Sequence, residues 1–350
     1  MPPSVLAAAT KGNPVSNAKS TWSLRPTRLD DVPALASVIN ARYRTFTGED
    51  QVTEAELAAN WEDSRPDPAL RMRTLLAPDG RVVGWVEVSS PDEPYVQVGG
   101  GITISPDVSA DSATWDLLLG WAEERAIDVT APAEERLRTY LQLWSLEKDD
   151  ERRRAFACHG LAPVRAMHRM RIDFEAAPDS PEWPDGLVLR LFDSESDLGP
   201  LCIAIEESFR DHWGRVPTTP EAEEKETREW MRWQGEALDP TLSTLAWDGD
   251  QVAGYVLGRW HLPLDRTRGV VASLAVRSAW RRRGLGLALL RNALGEFHRR
   301  GCASVELLVD SDNLTGALRL YERAGMRAFR TQIIYEKELR AGVDITTRGV

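Results

Sequence analysis

The chain repeats one plan twice, and this duplication limits its fold more than any other sequence feature. A short extended segment at 22–25 returns at 187–190 with a similar residue pattern. The sequence Phe-Ala-Cys-His-Gly at 156–160 returns as Tyr-Glu-Arg-Ala-Gly at 321–325, again before an alternating segment. With 350 residues, the chain is long enough for two domains. The repeat therefore predicts two domains of one architecture in tandem.

Both copies predict the same order of elements. Strands alternate apolar and polar residues, whereas helices repeat apolar residues every three or four positions, and each copy follows the order β-α-α-β-β-β-α-β-α-β. The order predicts a mixed α/β (α+β) fold, in which helices flank a mostly antiparallel sheet. We interpret the charge run of the acidic helix at 221–234 as a solvated face. In the second copy the predicted strands are 188–191, 242–247, 251–260, 270–276, 303–309 and 326–338, and the predicted helices are 196–210, 221–234, 285–300 and 314–324.

A proline-rich segment separates the two copies. Residues 176–186 are rich in proline and polar residues, which is typical of a linker. The first domain is predicted to span 21–175 and the second 187–340. Residues 1–20 have a short apolar patch without a basic lead-in, so we interpret them as a loose N-terminal tail rather than a secretory signal. Residues 341–350 are predicted to form a C-terminal tail.

Charge, cysteine content and hydropathy restrict the partners of the chain. The net charge is −11, from 43 basic and 54 acidic residues, which argues against nucleic-acid binding and mildly favours a cationic partner such as an amine. Three scattered cysteines without a Cys-x-x-Cys pair predict a reducing compartment without disulfides, and no metal site is predicted. No apolar run approaches the roughly 18 residues that span a membrane. We therefore expect a cytoplasmic monomer or homodimer that binds neither nucleic acid nor membrane.

The most informative motif is an arginine- and glycine-rich turn at 281–286. Its sequence, Arg-Arg-Arg-Gly-Leu-Gly, lies between a predicted buried strand and an amphipathic helix. Glycines let the backbone approach an anion closely and direct N–H groups at it. The helix that follows adds the positive end of its dipole. The turn therefore predicts a site for a phosphate chain, and Asn313, Tyr321 and Gly325 follow it in order.

This set of motifs resembles the GNAT (GCN5-related N-acetyltransferase) superfamily, in its tandem form. The family pattern Gln/Arg-x-x-Gly-x-Gly/Ala is matched by Arg281, Gly284 and Gly286. Its downstream pattern, from an asparagine to a helical tyrosine, is matched by Asn313 and Tyr321. The resemblance covers the second copy well, and it covers the first copy mainly through the repeat.

The resemblance implies an N-acetyltransferase that uses acetyl-CoA as acyl donor and acetylates a primary amine of a small molecule by direct attack. The strand before the turn would bind the pantetheine arm through its free backbone edge, and one of its N–H groups would polarise the thioester carbonyl. The residues implied in cofactor binding are Leu274, Ala275, Val276, Arg281, Arg282, Arg283, Gly284, Leu285, Gly286, Leu287 and Asn313.

Tyr321 is the residue that the resemblance implies as general acid. The departing thiolate has a pKa near ~8.5 and tyrosine a pKa near ~10, so a positioned phenol can protonate or hydrogen-bond the thiolate. The general base is left open, because the strand at 270–276 carries no acid and Ser273 is its only polar side chain. The candidate bases are Asp211, His212, Glu306, Asp310 and a water chain, and the candidate substrate residues are Asp211, His212, Trp213 and Ser273.

The first copy departs from the motif at each of these positions. Alignment of the repeat places Phe156 opposite Tyr321, which removes the phenol. It places Ser109, Ser112 and Thr114 opposite Arg281, Gly284 and Gly286. The first copy is therefore predicted to be a degenerate domain that supports the active one.

Two other functions remain open at the sequence level. A non-catalytic acyl-CoA-binding protein would account for the missing acid on the strand before the turn. A peptide or protein N-acetyltransferase would share the donor site and differ only in the acceptor.

Overall fold

The structure is a computed structural model. It describes residues 22–62, 68–89, 91–217, 219–234, 238–261, 264–265, 267–312 and 316–348. The predicted N-terminal tail at 1–20 lies outside the described residues, as does Asn313.

The two halves contain the predicted elements in the predicted order. In the first half the strands are β1 (Ser23–Pro26), β2 (Met72–Leu76), β3 (Val82–Val88), β4 (Gln97–Ile104), β5 (Thr139–Leu146) and β6 (Ala162–Asp173), and the helices are α1 (Val32–Thr47), α2 (Glu54–Glu62), α3 (Pro68–Arg71), α4 (Ser112–Thr130) and α5 (Asp150–Cys158). In the second half the strands are β7 (Val188–Leu191), β8 (Thr244–Asp248), β9 (Gln251–Trp260), β10 (Arg268–Val276), β11 (Ser304–Asp310) and β12 (Arg327–Arg340), and the helices are α6 (Leu198–Phe209), α7 (Pro220–Gln234), α8 (Leu285–Arg299) and α9 (Ala317–Arg323).

All these strands form one twelve-stranded sheet with the order β1-β2-β3-β4-β5-β12-β6-β11-β10-β9-β8-β7. The pairs β4–β5 and β10–β11 are parallel, and the other pairs are antiparallel. The prediction of a mostly antiparallel sheet flanked by helices is confirmed.

The last strand of each half pairs with the sheet of the other half. β12, the last strand of the second half, pairs with β5 of the first half along the whole of β5. β6, from the end of the first half, pairs with β11 of the second half, and β6 and β12 also pair with each other. The predicted domain bounds at 175 and 187 separate the two halves along the sequence. The sheet itself is continuous across both halves.

Helix α8 lies against the sheet because its apolar side chains recur every three or four residues. Leu285, Leu289 and Phe297 are buried together with apolar residues of β9, β10 and β11. Close packing requires a glycine at position 269, since a Cβ there would lie 2.4 Å from a ring carbon of Phe297. Helices α6 and α7 pack around a separate core that contains Tyr255 of β9, on the other side of the sheet. This arrangement fixes the end of β10 between two helical layers.

The segment after β12 connects the two halves. The N–H of Arg138 donates to the carbonyl of Val343 at 3.0 Å, and the N–H of Gly214 donates to the carbonyl of Thr347 at 2.7 Å. Residues 341–348, predicted as a tail, are therefore bonded to both halves.

Candidate active site

The parallel strands β10 and β11 separate before β10 ends. They pair only over 268–270 and 304–306. One residue further on, the register of β10 against β9 shifts between Val271 and Ser273, which indicates a β-bulge at Ala272. Beyond this point the edge of β10 that faces β11 has no strand partner among the described residues.

A cavity of about 1260 Å³ occupies the space between the separated strands. Its walls come from β6, β10, β11, the end of α6 and the segment after it, α7, the start of α8, and α9. The strand residues predicted to bind the cofactor, Leu274, Ala275 and Val276, all line it, as does Ser273. A free strand edge beside a deep cavity can accept an extended ligand as an additional strand.

The predicted phosphate-binding turn forms one end of this cavity. Arg282 has a φ of 61° and Gly284 a φ of 88°, so two residues of the turn adopt the left-handed conformation. No hydrogen-bond acceptor within the described part of the chain is bound by the N–H groups of residues 282–287. Consecutive free amides at the N-terminus of a fifteen-residue helix form an anion-binding site, and this helix is α8.

The individual residues of the turn have different positions. Arg282, Gly284, Leu285, Gly286 and Leu287 line the cavity. Arg283 is exposed, and it is not one of the lining residues that the structure describes. Arg281 also lines the cavity, so Arg281 and Arg282 lie beside it and Arg283 does not.

Arg281 and Gly286 have structural reasons for their identity. The Nε of Arg281 donates to the carbonyl of Val276 at 2.9 Å, and an Nη donates to the carbonyl of Ser208 at 3.2 Å. Arg281 thus holds the turn to β10 and to the end of α6, rather than directing its charge outward. A Cβ on Gly286 would lie 2.9 Å from Leu320, so this glycine permits close contact between α8 and α9.

Tyr321 projects from α9 into the cavity wall. Its side chain is buried, with 7% of its surface exposed, and burial raises its pKa to about 12. Its hydroxyl has no hydrogen-bond partner within the described residues. Nearby, the Tyr255 and Ser273 hydroxyls lie 3.1 Å apart, and burial raises the pKa of Tyr255. The Tyr321 phenol is therefore protonated and free to donate a hydrogen bond to a ligand.

The predicted base and substrate residues divide into two groups. Asp211, His212 and Trp213 line the cavity. Burial lowers the pKa of His212, so the imidazole is neutral near pH 7. Asp310 also lines the cavity, but both of its oxygens accept from Nε of Arg165, at 2.8 and 2.9 Å.

Glu306 is a poor candidate base, because it lies away from the cavity wall. Its carboxylate is 2% exposed and forms ion pairs with Arg169, Arg171 and Arg268. Three guanidinium groups surround the carboxylate and leave no open side for an amine. Its position indicates a structural role.

Helix α7 supplies residues that the sequence did not single out. Glu223 and Thr227 are buried at 3% and 5% exposure, and Glu226 and Trp230 line the cavity beside them. Glu223 forms an ion pair with Arg215. The interpretation of the charge run as a solvated face therefore does not hold for Glu223, which is buried. The spacing of these residues in the sequence places them on one face of a helix. Polar side chains on one face, however, do not show whether that face borders a cavity or bulk solvent.

In the first half, a carboxylate of the protein itself binds the N-terminus of the corresponding helix. The Asp111 carboxylate accepts from the N–H of Thr114 at 2.9 Å and from its hydroxyl at 2.7 Å, at the N-terminus of α4. Helix α4 begins after Asp111 as α8 begins after Gly284. Phe156, at the position of Tyr321, is fully buried. An internal carboxylate occupies the place where an anionic ligand would bind.

Comparison with known proteins agrees with this geometry. The model of the acetyltransferase (GNAT) family matches residues 202–326. The crystal structure of a GCN5-related N-acetyltransferase from Sphaerobacter thermophilus is 31% identical with a TM-score of 0.76, over 92% of this chain and 97% of that one. The chain belongs to the GNAT family. A tandem GNAT protein from the clavulanic acid biosynthesis pathway shares the fold of this GNAT chain at 14% identity and a TM-score of 0.71, over 92% of this chain and all of that one.

A curated relative of this GNAT chain is the mycothiol acetyltransferase of Geodermatophilus obscurus. The two are 30% identical over 184 residues, which are 51% of this chain and 58% of that protein. The match therefore spans less than two thirds of the length of that relative. In the described part of the GNAT chain, no helix is long and apolar enough to cross a membrane.

Proposed function

We propose that this GNAT protein transfers an acetyl group from acetyl-CoA to a primary amine of a small molecule. One observation carries the proposal. The free edge of β10, the unpaired amides at the start of α8 and the buried phenol of Tyr321 all border one cavity.

The chain's own groups fit the donor. The amides of residues 282–287 would hold the pyrophosphate, with Arg282 adding positive charge. The backbone of Leu274, Ala275 and Val276 would bind the pantetheine arm as a strand binds its neighbour. When bound, acetyl-CoA supplies the acetyl thioester that the amine attacks. Asn313 stays a predicted contact outside the described residues.

Tyr321 would act on the leaving sulfur. Its pKa of about 12 keeps the phenol protonated, and it lies well above the ~8.5 of a thiol. Complete proton transfer to a free thiolate would cost about 5 kcal/mol at this difference in pKa. We therefore expect the phenol to act first as a hydrogen-bond donor, stabilising negative charge as it develops on sulfur.

Removal of the amine proton is assigned to polar side chains of the cavity wall. His212 is neutral near pH 7 and can accept a proton directly or through water. Asp211 and Glu226 line the same cavity and attract a cationic amine. β10 carries no acidic side chain, and these groups of the cavity wall can take its place. They therefore support an active acetyltransferase rather than an acyl-CoA-binding protein without activity.

The similarity to curated relatives named mycothiol acetyltransferase supports a small-molecule acceptor rather than a peptide. The test is release of free CoA thiol from acetyl-CoA across a panel of small amines and short peptides. No release above the hydrolysis rate with any acceptor would reject the function, and faster release with peptides would reject the small-molecule class.

Substitution of Gly284 by alanine is expected to weaken acetyl-CoA binding about tenfold or more. A left-handed φ of 88° costs a residue with a Cβ about 1–2 kcal/mol, and relief of this strain would turn the amides away from the pyrophosphate. Calorimetric titration of acetyl-CoA measures the effect. Gly249→Ala is the matched control, because Gly249 has a φ of 60° with open space around it in the β8–β9 turn. Equal affinities of the two variants would contradict the assignment.

One acetyl-CoA is expected to bind per chain. Asp111 occupies the turn of the first half and would repel a pyrophosphate. The same titration with the unmodified protein gives the stoichiometry. Two equivalent sites per chain would show that the first half also binds the donor.

A further inference from the structure

A cluster of five arginines lies on the strands where the two halves of the sheet join. We call it the interdomain arginine cluster. Its members come from β6, β9, β10 and β12, which are neighbours in the sheet or separated only by β11. They are Arg169, Arg171, Arg259, Arg268 and Arg330.

The ion pairs with nearby carboxylates are distributed unevenly among the five arginines. Glu49, at the end of α1, and Glu306 both form ion pairs with Arg171 and Arg268 at 2.5–3.3 Å. Arg169 reaches only Glu306, at 3.4 Å. Two guanidinium groups are therefore well neutralised, and the third has one long contact.

Arg259 and Arg330 have no ion pair with any described carboxylate. The only side-chain hydrogen bond of Arg330 within the described residues goes to the Gln51 amide at 3.4 Å. Burial lowers the pKa of both guanidinium groups and the nearby charge of Arg169 lowers it further, while the charge of Glu306 acts in the opposite direction on both. The Nε atoms of Arg169 and Arg330 are buried without a hydrogen-bond partner. The Arg330 guanidinium also lies 5.7 Å from the ring centroid of Tyr43 and 5.6 Å from that of Phe329. Partly buried guanidinium groups without a paired carboxylate can bind an anionic ligand through charge-assisted hydrogen bonds.

The cluster adjoins the cavity on the sheet itself. Arg169 lies directly opposite Leu308 of β11 and Arg330 of β12 in the antiparallel register. Paired residues of antiparallel strands have Cα atoms about 4.5–5.5 Å apart. Leu308 lines the cavity and is 43% exposed, although β11 is a central strand. Leu308 therefore forms an apolar surface between the donor site and the cluster.

We propose that Arg169, Arg259 and Arg330 form a subsite for an anionic group, a carboxylate or a phosphate monoester, carried by the acceptor amine. This inference rests on the proposed acetyl transfer, and it specifies the acceptor as an amino acid or an amino phosphate. Its aliphatic portion would lie on Leu308, with the amine toward the separated strands and the anion on the cluster.

Two matched pairs of acceptors test the subsite. The first pair is β-alanine and β-alaninamide, and the second is O-phosphoethanolamine and ethanolamine. Thiol release with each acceptor is measured in wild type, in Arg259→Gln and in Arg330→Gln. We expect wild type to prefer the anionic member of at least one pair. Each variant should lose this preference about tenfold or more, mainly through KM, because a charge-assisted hydrogen bond is removed. Arg259→Lys, which keeps the charge, should retain most of it.

Arg136→Gln is the control, since Arg136 is 72% exposed and pairs only with neighbouring Glu134. Its preference should equal that of wild type. Equal turnover of neutral and anionic acceptors by wild type, or an unchanged preference in both cluster variants, would overturn the subsite and leave acetyl transfer intact.

A second measurement does not depend on turnover. Protein saturated with CoA, which fills the phosphate site at α8, is titrated with inorganic phosphate by calorimetry at constant ionic strength. We expect binding that weakens about tenfold or more in Arg259→Gln. Arg259→Gln should also raise the Tm of the ligand-free protein, because it removes a half-buried charge that has no ion pair among the described residues. If no amine is acetylated the proposed function fails, and the titration still decides the subsite: no binding, or equal binding by variant and wild type, overturns it.

Discussion

Tyr321→Phe is expected to lower kcat about a hundredfold or more while changing the KM for acetyl-CoA by less than about twofold. The substitution removes one hydroxyl from a buried site and leaves the ring that fills the wall of the cavity. The hydrogen bond it deletes forms fully only as charge develops on sulfur, so the loss falls on the transition state rather than on donor binding. Steady-state thiol release at saturating amine measures kcat.

The core around Phe156 contains the control for this variant. Tyr335 is also buried, at 3% exposure, and its ring lies 5.3 Å from that of Phe156, the counterpart of Tyr321. Its hydroxyl accepts from Arg153 at 3.0 Å, far from the described cavity wall. Tyr335→Phe should leave kcat unchanged. A Tyr321→Phe protein that turns over like wild type would remove Tyr321 from the chemistry.

Glu306→Gln is expected to reduce the free energy of unfolding by about 3–5 kcal/mol, the cost of removing one partner from a buried ion pair. The remaining Glu49 would face Arg171 and Arg268 alone, and Arg169 would lose its only carboxylate contact within the described residues. Urea unfolding followed by fluorescence measures the change. The variant that remains folded should still acetylate, since Glu306 does not line the cavity.

Glu338→Gln is the matched substitution on the surface. Glu338 pairs with Arg138 at 2.7 Å but is 49% exposed, so its loss should cost no more than about 1 kcal/mol. Similar losses for the two variants would show that the arginines around Glu306 are solvated. A well-folded Glu306→Gln protein without activity would instead restore Glu306 as the base.

Local patterns were sufficient to predict the turn at α8. Its strand, glycines and helix are adjacent in sequence, and a left-handed residue at 284 and close helix contact at 286 are requirements that glycine alone meets well. The element order was predictable for the same reason, because periodicity is a property of short segments.

Features that depend on distant contacts were not predictable. The segments of β6 and β12 both alternate, so their residues do not indicate which one completes which half of the sheet. Glu223 and Thr227 are polar residues on an acidic helix, and only the position of α7 turns them inward. From the sequence alone, Glu306 was a reasonable candidate base. In the structure, β6 from the other half places Arg169 and Arg171 beside it.

The exchange of β6 and β12 has a consequence for the nascent chain. When the first half leaves the ribosome, the edge of β5 still lacks its partner, because residues 327–340 are not yet made. An unpaired edge strand is a template for intermolecular pairing. Until translation reaches β12, this half must remain incomplete or pair β6 temporarily with β5. Synthesis near the end of the chain therefore sets when the protein escapes its period of greatest aggregation risk.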